Sequence, residues 1–218
     1  MRNWVIGGAA GLLAAMVLIP TALEAVSHPS DAKAVAGVGT ASTPPGYKPF
    51  VDRTDHFSIA VPAAWRSANP SSPGVTASVH DMLQLSPRLQ ANLGSGFVNA
   101  LSRSTKFLAV DPTGGTIATS AVAVVVSPAI GATDNDLPQA EAGLERAYQQ
   151  TAGTVVSSVG IDLAGHQALQ DTVRVPTASG TTILETEDVL LANDFVYFIT
   201  FAGSSPDMPT VASTFSVR

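Results

Sequence analysis

Thr182-Ile183-Leu184-Glu185-Thr186-Glu187-Asp188-Val189-Leu190-Leu191-Ala192-Asn193-Asp194-Phe195-Val196-Tyr197-Phe198-Ile199-Thr200-Phe201 reads as two strands folded back on a tight turn. Asn193 and Asp194 both tolerate the left-handed backbone region that a two-residue hairpin turn demands. The run from Phe195 to Phe201 is apolar on both faces, which predicts a central strand with cover on each side. In the first arm Glu185 and Glu187 share a face, because side chains alternate along a strand. Such a carboxylate pair can do acid–base work if it is held in a cleft. A solvated edge or outer face is the simpler reading.

Outward from this hairpin the same signal repeats. Val155 to Leu163 and Ala168 to Val175 flank Gly165-His166, and Phe107 to Val110 and Thr116 to Val126 flank the turn Asp111-Pro112-Thr113-Gly114-Gly115. Phe57, Ile59 and Val61 alternate with Ser58 and Ala60 as far as Pro62, a half-buried strand ending at a corner, with Trp65 folded back onto the same core.

The clearest helix runs from about Leu137 to Thr151, with Asp136 as its N-cap and Gln139 at capping-box spacing. Leu137, Ala140, Leu144, Ala147 and Tyr148 form its apolar face, and Gly153 is expected to end it in the left-handed region. Ser86-Pro87 opens a second helical stripe through Leu89, Leu93, Phe97 and Leu101, interrupted at Gly94-Ser95-Gly96. A last short helix starts at Ser205-Pro206-Asp207 and turns Met208, Val211 and Phe215 inward. Hairpins dominate, so residues 49–218 are expected to form an α+β domain, a mainly antiparallel sheet with helices packed on its faces.

Before that domain the composition changes twice. Val5 to Leu23 holds 19 residues without a charge, behind Arg2. At about 1.5 Å per residue the run reaches about 28 Å, close to the hydrocarbon thickness of a bilayer. Residues 1–24 therefore read as one N-terminal apolar helix, either a cleaved signal peptide or a transmembrane anchor. The positive-inside rule keeps Arg2 in the cytoplasm and sends the body out, anchored to the cell membrane or secreted. Residues 25–48 are rich in Ala, Gly, Ser, Thr and Pro and read as a flexible linker.

The 218 residues are 45% hydrophobic and 13% charged, about half the charged share of an ordinary soluble domain, so disorder is excluded as the main state. The absence of cysteine excludes disulfides, a thiolate zinc site and a catalytic cysteine. A net charge of −6, with Lys and Arg scattered, argues against nucleic acid as a partner. No nucleophile elbow and no P-loop occur. His28, His56, His80 and His166 lack ligand spacing, and the acids Asp134, Asp136 and Glu141 suit helix capping better than calcium. No cofactor or metal is expected. The aromatic residues gather in two places. Core packing is the simple account of them; alternatively Phe57, Trp65, Tyr197 and Phe201 line part of an apolar groove for a lipid tail or peptide.

Several of these pieces resemble the PsbP-like family of α-β-α sandwiches, in particular its actinobacterial LpqN-type envelope branch. The similar stretches are Phe57-Ser58-Ile59-Ala60-Val61-Pro62-Ala63-Ala64-Trp65, Phe107-Leu108-Ala109-Val110-Asp111-Pro112, Asp162-Leu163-Ala164-Gly165-His166-Gln167-Ala168, and Tyr197-Phe198-Ile199-Thr200-Phe201 on to Phe215. The chain departs from that branch in having no cysteine to carry a lipid. The resemblance implies a non-enzymatic accessory domain that binds a protein or lipid partner of the envelope. A carrier of small apolar ligands or lipids, and a secreted hydrolase using Glu185 and Glu187, are the alternatives.

Overall fold

The computed structural model describes residues 43–69, 105–111, 120–149, 153–176, 182–203 and 205–218. Among these, the strands in chain order are β1 (Tyr47–Asp52), β2 (Phe57–Pro62), β3 (Arg66–Ala68), β4 (Thr105–Val110), β5 (Ser120–Pro128), β6 (Thr154–Leu163), β7 (His166–Pro176), β8 (Thr182–Ala192), β9 (Phe195–Gly203) and β10 (Ser216–Val217). Helix α1 (Leu137–Gln149) follows β5 through a 3-10 turn at Asp134–Asp136, and α2 (Met208–Ser213) precedes β10. The apolar N-terminal run and the stripe from Ser86 to Leu101 lie outside the described residues. Among the described residues no helix is long and apolar enough to cross a membrane.

Seven strands form one antiparallel sheet in the order β3-β4-β5-β9-β8-β7-β6, and β1-β2-β10 form a smaller one. The opening hairpin is β8–β9, with Ala192 opposite Phe195 and Asn193 and Asp194 at φ of 54° and 64°. Its turn also ties down distant chain: Asn193 Nδ2 donates to the Arg218 carbonyl over 2.9 Å, and the Gly131 amide donates to Asp194 Oδ1 over 2.8 Å. At the β6–β7 turn Ala164 and Gly165 are likewise left-handed, at φ of 57° and 81°. Strands β4 and β5 pair antiparallel as predicted, Val110 opposite Ala121.

Strand β9 occupies the middle of the large sheet. Tyr197, Ile199 and Phe201 enter one core with Val122, Val124, Phe57 and Trp65, whereas Val196 and Phe198 enter a second with Val125, Leu144 and Tyr148. Each such buried side chain contributes about 1.5–3 kcal/mol of burial free energy. The large sheet is therefore covered on one face by the small sheet with α2, and on the other by α1. That is the α+β architecture the hairpins imply.

Four local expectations need correction. Strand β2 is buried on both sides, because Thr214 and Ser216 close its outer face: the Ala60 amide donates to Thr214 Oγ1 over 2.8 Å, and the Ser58 and Ser216 hydroxyls meet at 2.8 Å. Asp136 does not act as the N-cap of α1. Its Oδ2 accepts from the Thr133 amide over 2.9 Å, so Thr133 is the cap of the 3-10 turn and Asp136 reaches back to it. Gly153 is not left-handed; its amide bonds the Tyr148 carbonyl over 2.8 Å. A glycine is needed there for space, since a Cβ would come within 2.9 Å of Tyr148 Cδ1. Finally, β1 begins at Tyr47, two residues inside the stretch read as linker.

Candidate functional site

Successive residues of β8 face opposite sides of the large sheet, and this alternation sends Glu185, Glu187, Val189 and Leu191 toward α1. In register, Glu187 lies between Asp171 of β7 and Thr200 of β9, and Glu185 between Val173 and Ala202. The two glutamates do not sit on a solvated face, contrary to the simpler reading of the sequence. They are 1% and 0% exposed, and Asp171 is 0% exposed. The reason is α1, whose last turn lowers Tyr148 onto this row.

The Tyr148 hydroxyl donates to Glu187 Oε2 over 3.0 Å and stands 3.5 Å from Glu185 Oε2. Thr200 Oγ1 donates to the same Glu187 oxygen over 2.6 Å. Glu185 Oε1 and Glu187 Oε1 have no hydrogen-bond partner. A buried carboxylate without donors or a cation is costly to ionise, so such a group takes up a proton instead. Burial accordingly pushes Glu185 up to about 7 against the opposing Tyr148 hydroxyl. Burial pushes Glu187 up to about 8; the Thr200 hydroxyl opposes the rise and the neighbouring Glu185 charge adds to it. Asp171 is raised by burial, with Ser158 opposing and the Glu141 and Glu145 charges of α1 adding. Tyr148 is held well above its usual range by burial and by the Glu187 and Glu185 charges.

Asp188 points to the opposite face of the sheet, where Gln170 Nε2 donates to its Oδ1 over 2.9 Å, and burial raises it to about 6. The strand thus carries buried acids on both faces. Burial raises the proton affinity of each of them. A general acid or base must come within hydrogen-bond distance of a substrate, which groups sealed to this degree do not do in this state.

Tyr148 entered the sequence reading only as part of an apolar stripe, and Asp171 and Thr200 did not enter it as site residues. Period-two alternation with Val173 and Val175 marks Asp171 as inward-facing, but its neighbours in space follow only from strand register.

The remaining candidates fall elsewhere. Phe57, Trp65, Tyr197 and Phe201 are core side chains, none more than 8% exposed. The Tyr197 hydroxyl is used internally, donating to the Asp55 carbonyl over 2.8 Å. His56 is exposed in a turn and His166 half-buried at the start of β7; His28 and His80 lie outside the described residues. Among the described residues no group of three or more His, Asp or Glu side chains is placed to hold a metal ion.

No protein-family model and no curated protein sequence matches the chain. In three dimensions it is similar to the solution structure of cyanobacterial PsbP (CyanoP) from Synechocystis sp. PCC 6803, with a TM-score of 0.52 and 13% identity over 86% of this chain and 99% of that one. The overlap with the crystal structure of LpqN, involved in cell envelope biogenesis of Mycobacterium tuberculosis, is looser. It has a TM-score of 0.43 and 13% identity over 81% of this chain and 87% of that one, and carries no inference. The likeness to PsbP is one of architecture, and the chain has a PsbP-like α+β fold.

Proposed function

We propose that the protein is an exported, non-enzymatic accessory domain that binds a protein partner of the cell envelope, the partner adding a strand to β6. The observation that carries this reading is the β6 edge. Among the described residues β6 ends the large sheet, and of its ten residues Leu163 alone is buried. Edge strands in natural proteins are blunted by lysines, prolines or charges that discourage pairing. Thr154–Leu163 has no lysine or proline, a single charge at Asp162, and two exposed valines, Val156 and Val159. A bulge between Val155 and Ser157 leaves seven regular residues beyond it. Strand addition draws its affinity from main-chain hydrogen bonds and its specificity from alternate side chains, and this edge offers both.

The sealed state of Glu185 and Glu187 weighs against the hydrolase alternative, and the burial of the four aromatic residues weighs against a groove for an apolar ligand. Export rests on the 19 uncharged residues from Val5 to Leu23 behind Arg2. Assignment to the LpqN-type envelope branch, with an apolar anchor in place of the lipid, belongs to the same reading.

A photo-crosslinking residue at Val159 in β6, compared with one at Ser67 in β3 at the opposite end of the sheet, tests the docking edge in intact cells. A single heterologous adduct from position 159, absent from 67 and lost in Val156→Lys, supports the reading. Equal labelling from both positions, no adduct, or an adduct between two copies of the chain overturns it. A reporter fused at Arg218 that stays in the cytoplasm would sink the export claim.

A further inference from the structure

The two halves of α1 rest on different material. Its first part sets Leu137, Ala140 and Leu144 against Val125, Val189, Leu191 and Phe198, an apolar contact. Its last turn sets Tyr148 on the row of Glu185, Glu187 and Asp171. We propose that this last turn is a proton-operated latch, closed on the sheet while Glu185 and Glu187 hold protons and released when they ionise.

The argument is one of donors and charges. Two hydroxyls, on Tyr148 and Thr200, converge on one oxygen of Glu187, and the second carboxyl oxygens of Glu185 and Glu187 have no partner. Protonated, Glu185 and Glu187 are neutral and tolerate their dry surroundings. Ionised, Glu187 and Asp171 stand directly opposite each other on adjacent strands, with Glu185 two residues along, and like charges so placed repel.

No element packed on the row places a countercharge on it among the described residues. From α1 come Glu141, Glu145 and the exposed Arg146; from β7, Arg174 is exposed and opposite Leu184; β9 contributes the uncharged Thr200, and β6 contributes Ser158 opposite Asp171. Among the described residues none of the three acids has an ion-pair partner. Water is the available alternative, and lifting the Tyr148 turn admits it. The raised proton affinities of Glu185 and Glu187, near 7 and 8, put the transition in an accessible pH range. The apolar first half of α1 has no reason to move with it, so the opening is local.

Amide hydrogen exchange by mass spectrometry, on the full-length chain in detergent micelles at pH 6 and pH 9 and corrected for intrinsic rates, tests the latch. The expected result is at least a tenfold loss of protection at residues 145–149 on going to pH 9, with β5 and β9 unchanged, since each group responds by up to tenfold per pH unit. Glu185→Gln with Glu187→Gln should keep that protection at pH 9. Equal protection of residues 145–149 at both pH values overturns the proposal. So does a loss shared equally by β5 and β9, which would be global unfolding. The wild-type profile decides between these outcomes even if the double variant does not fold.

Discussion

The Tyr148 hydroxyl donates to Glu187 Oε2 over 3.0 Å, joining the last turn of α1 to a strand 39 residues further along the chain, with both side chains out of water. Phenylalanine at 148 keeps the ring and removes the donor, leaving Thr200 as the hydroxyl on that oxygen. Tyr148→Phe should cost about 1–3 kcal/mol, the usual penalty for a buried acceptor that loses a partner. Denaturant unfolding should show a lower midpoint at unchanged slope. An unchanged midpoint would mean that the bond contributes nothing.

Stability should fall as pH rises through neutrality. Glu185 and Glu187 titrate near 7 and 8 in the folded chain, against 4.5 as ordinary side chains. Between these limits the folded state binds more protons than the unfolded state, so the unfolding free energy declines from about pH 4.5 to about pH 8 and levels off above. The slope should reach about 1.4 kcal/mol per pH unit for each group. Urea titrations near pH 5, 7 and 9 check this. Glu187→Gln, neutral at every pH, should flatten the decline, and a wild-type stability that rises over this range would contradict the burial of protonated acids.

Gly153 and Gly160 should respond differently to alanine. A Cβ at 153 would lie 2.9 Å from Tyr148 Cδ1 and 3.3 Å from its backbone oxygen, and the packed ring has little room to give. Gly153→Ala should cost about 1–3 kcal/mol through overpacking. At Gly160 nothing lies within 4 Å, and Gly160→Ala should be neutral or stabilising by less than about 1 kcal/mol. Thermal denaturation of the two variants side by side is sufficient; equal shifts would refute the steric account.

The Thr214 hydroxyl is one of the ties between the C-terminus and β2. Thr214 Oγ1 accepts from the Ala60 amide over 2.8 Å and donates to the Val211 carbonyl over 2.6 Å. Valine has nearly the same shape and neither capacity, so Thr214→Val leaves a buried amide unpaired, at an expected cost of about 1–3 kcal/mol. Exchange of the Ala60 amide should accelerate by at least tenfold, which NMR would detect; an unchanged rate would argue against the contact.

Local chemistry made much of this architecture legible. Asn193-Asp194 announced its hairpin because few residue pairs accept two left-handed conformations in succession, and φ of 54° and 64° bear this out. The apolar run from Phe195 to Phe201 announced a strand covered on both faces, and β9 is the middle strand of the large sheet. The stripe ending at Tyr148 marked which side of α1 turns inward, because the helical repeat brings residues four apart onto one face.

The same periodicity placed Glu185 and Glu187 together but was silent on whether water or protein covers them. That depended on α1 lying across β8, and on a register that brings Asp171 and Thr200 to either side of Glu187. A carboxyl's proton affinity follows from what surrounds it in space, and its neighbours here come from three other elements of the chain. Hydrophobic period and turn chemistry, read from the sequence alone, determined an antiparallel α+β domain. Only the tertiary structure decided that its acids are buried and raised in proton affinity, because burial belongs to the packing of elements and not to any one of them.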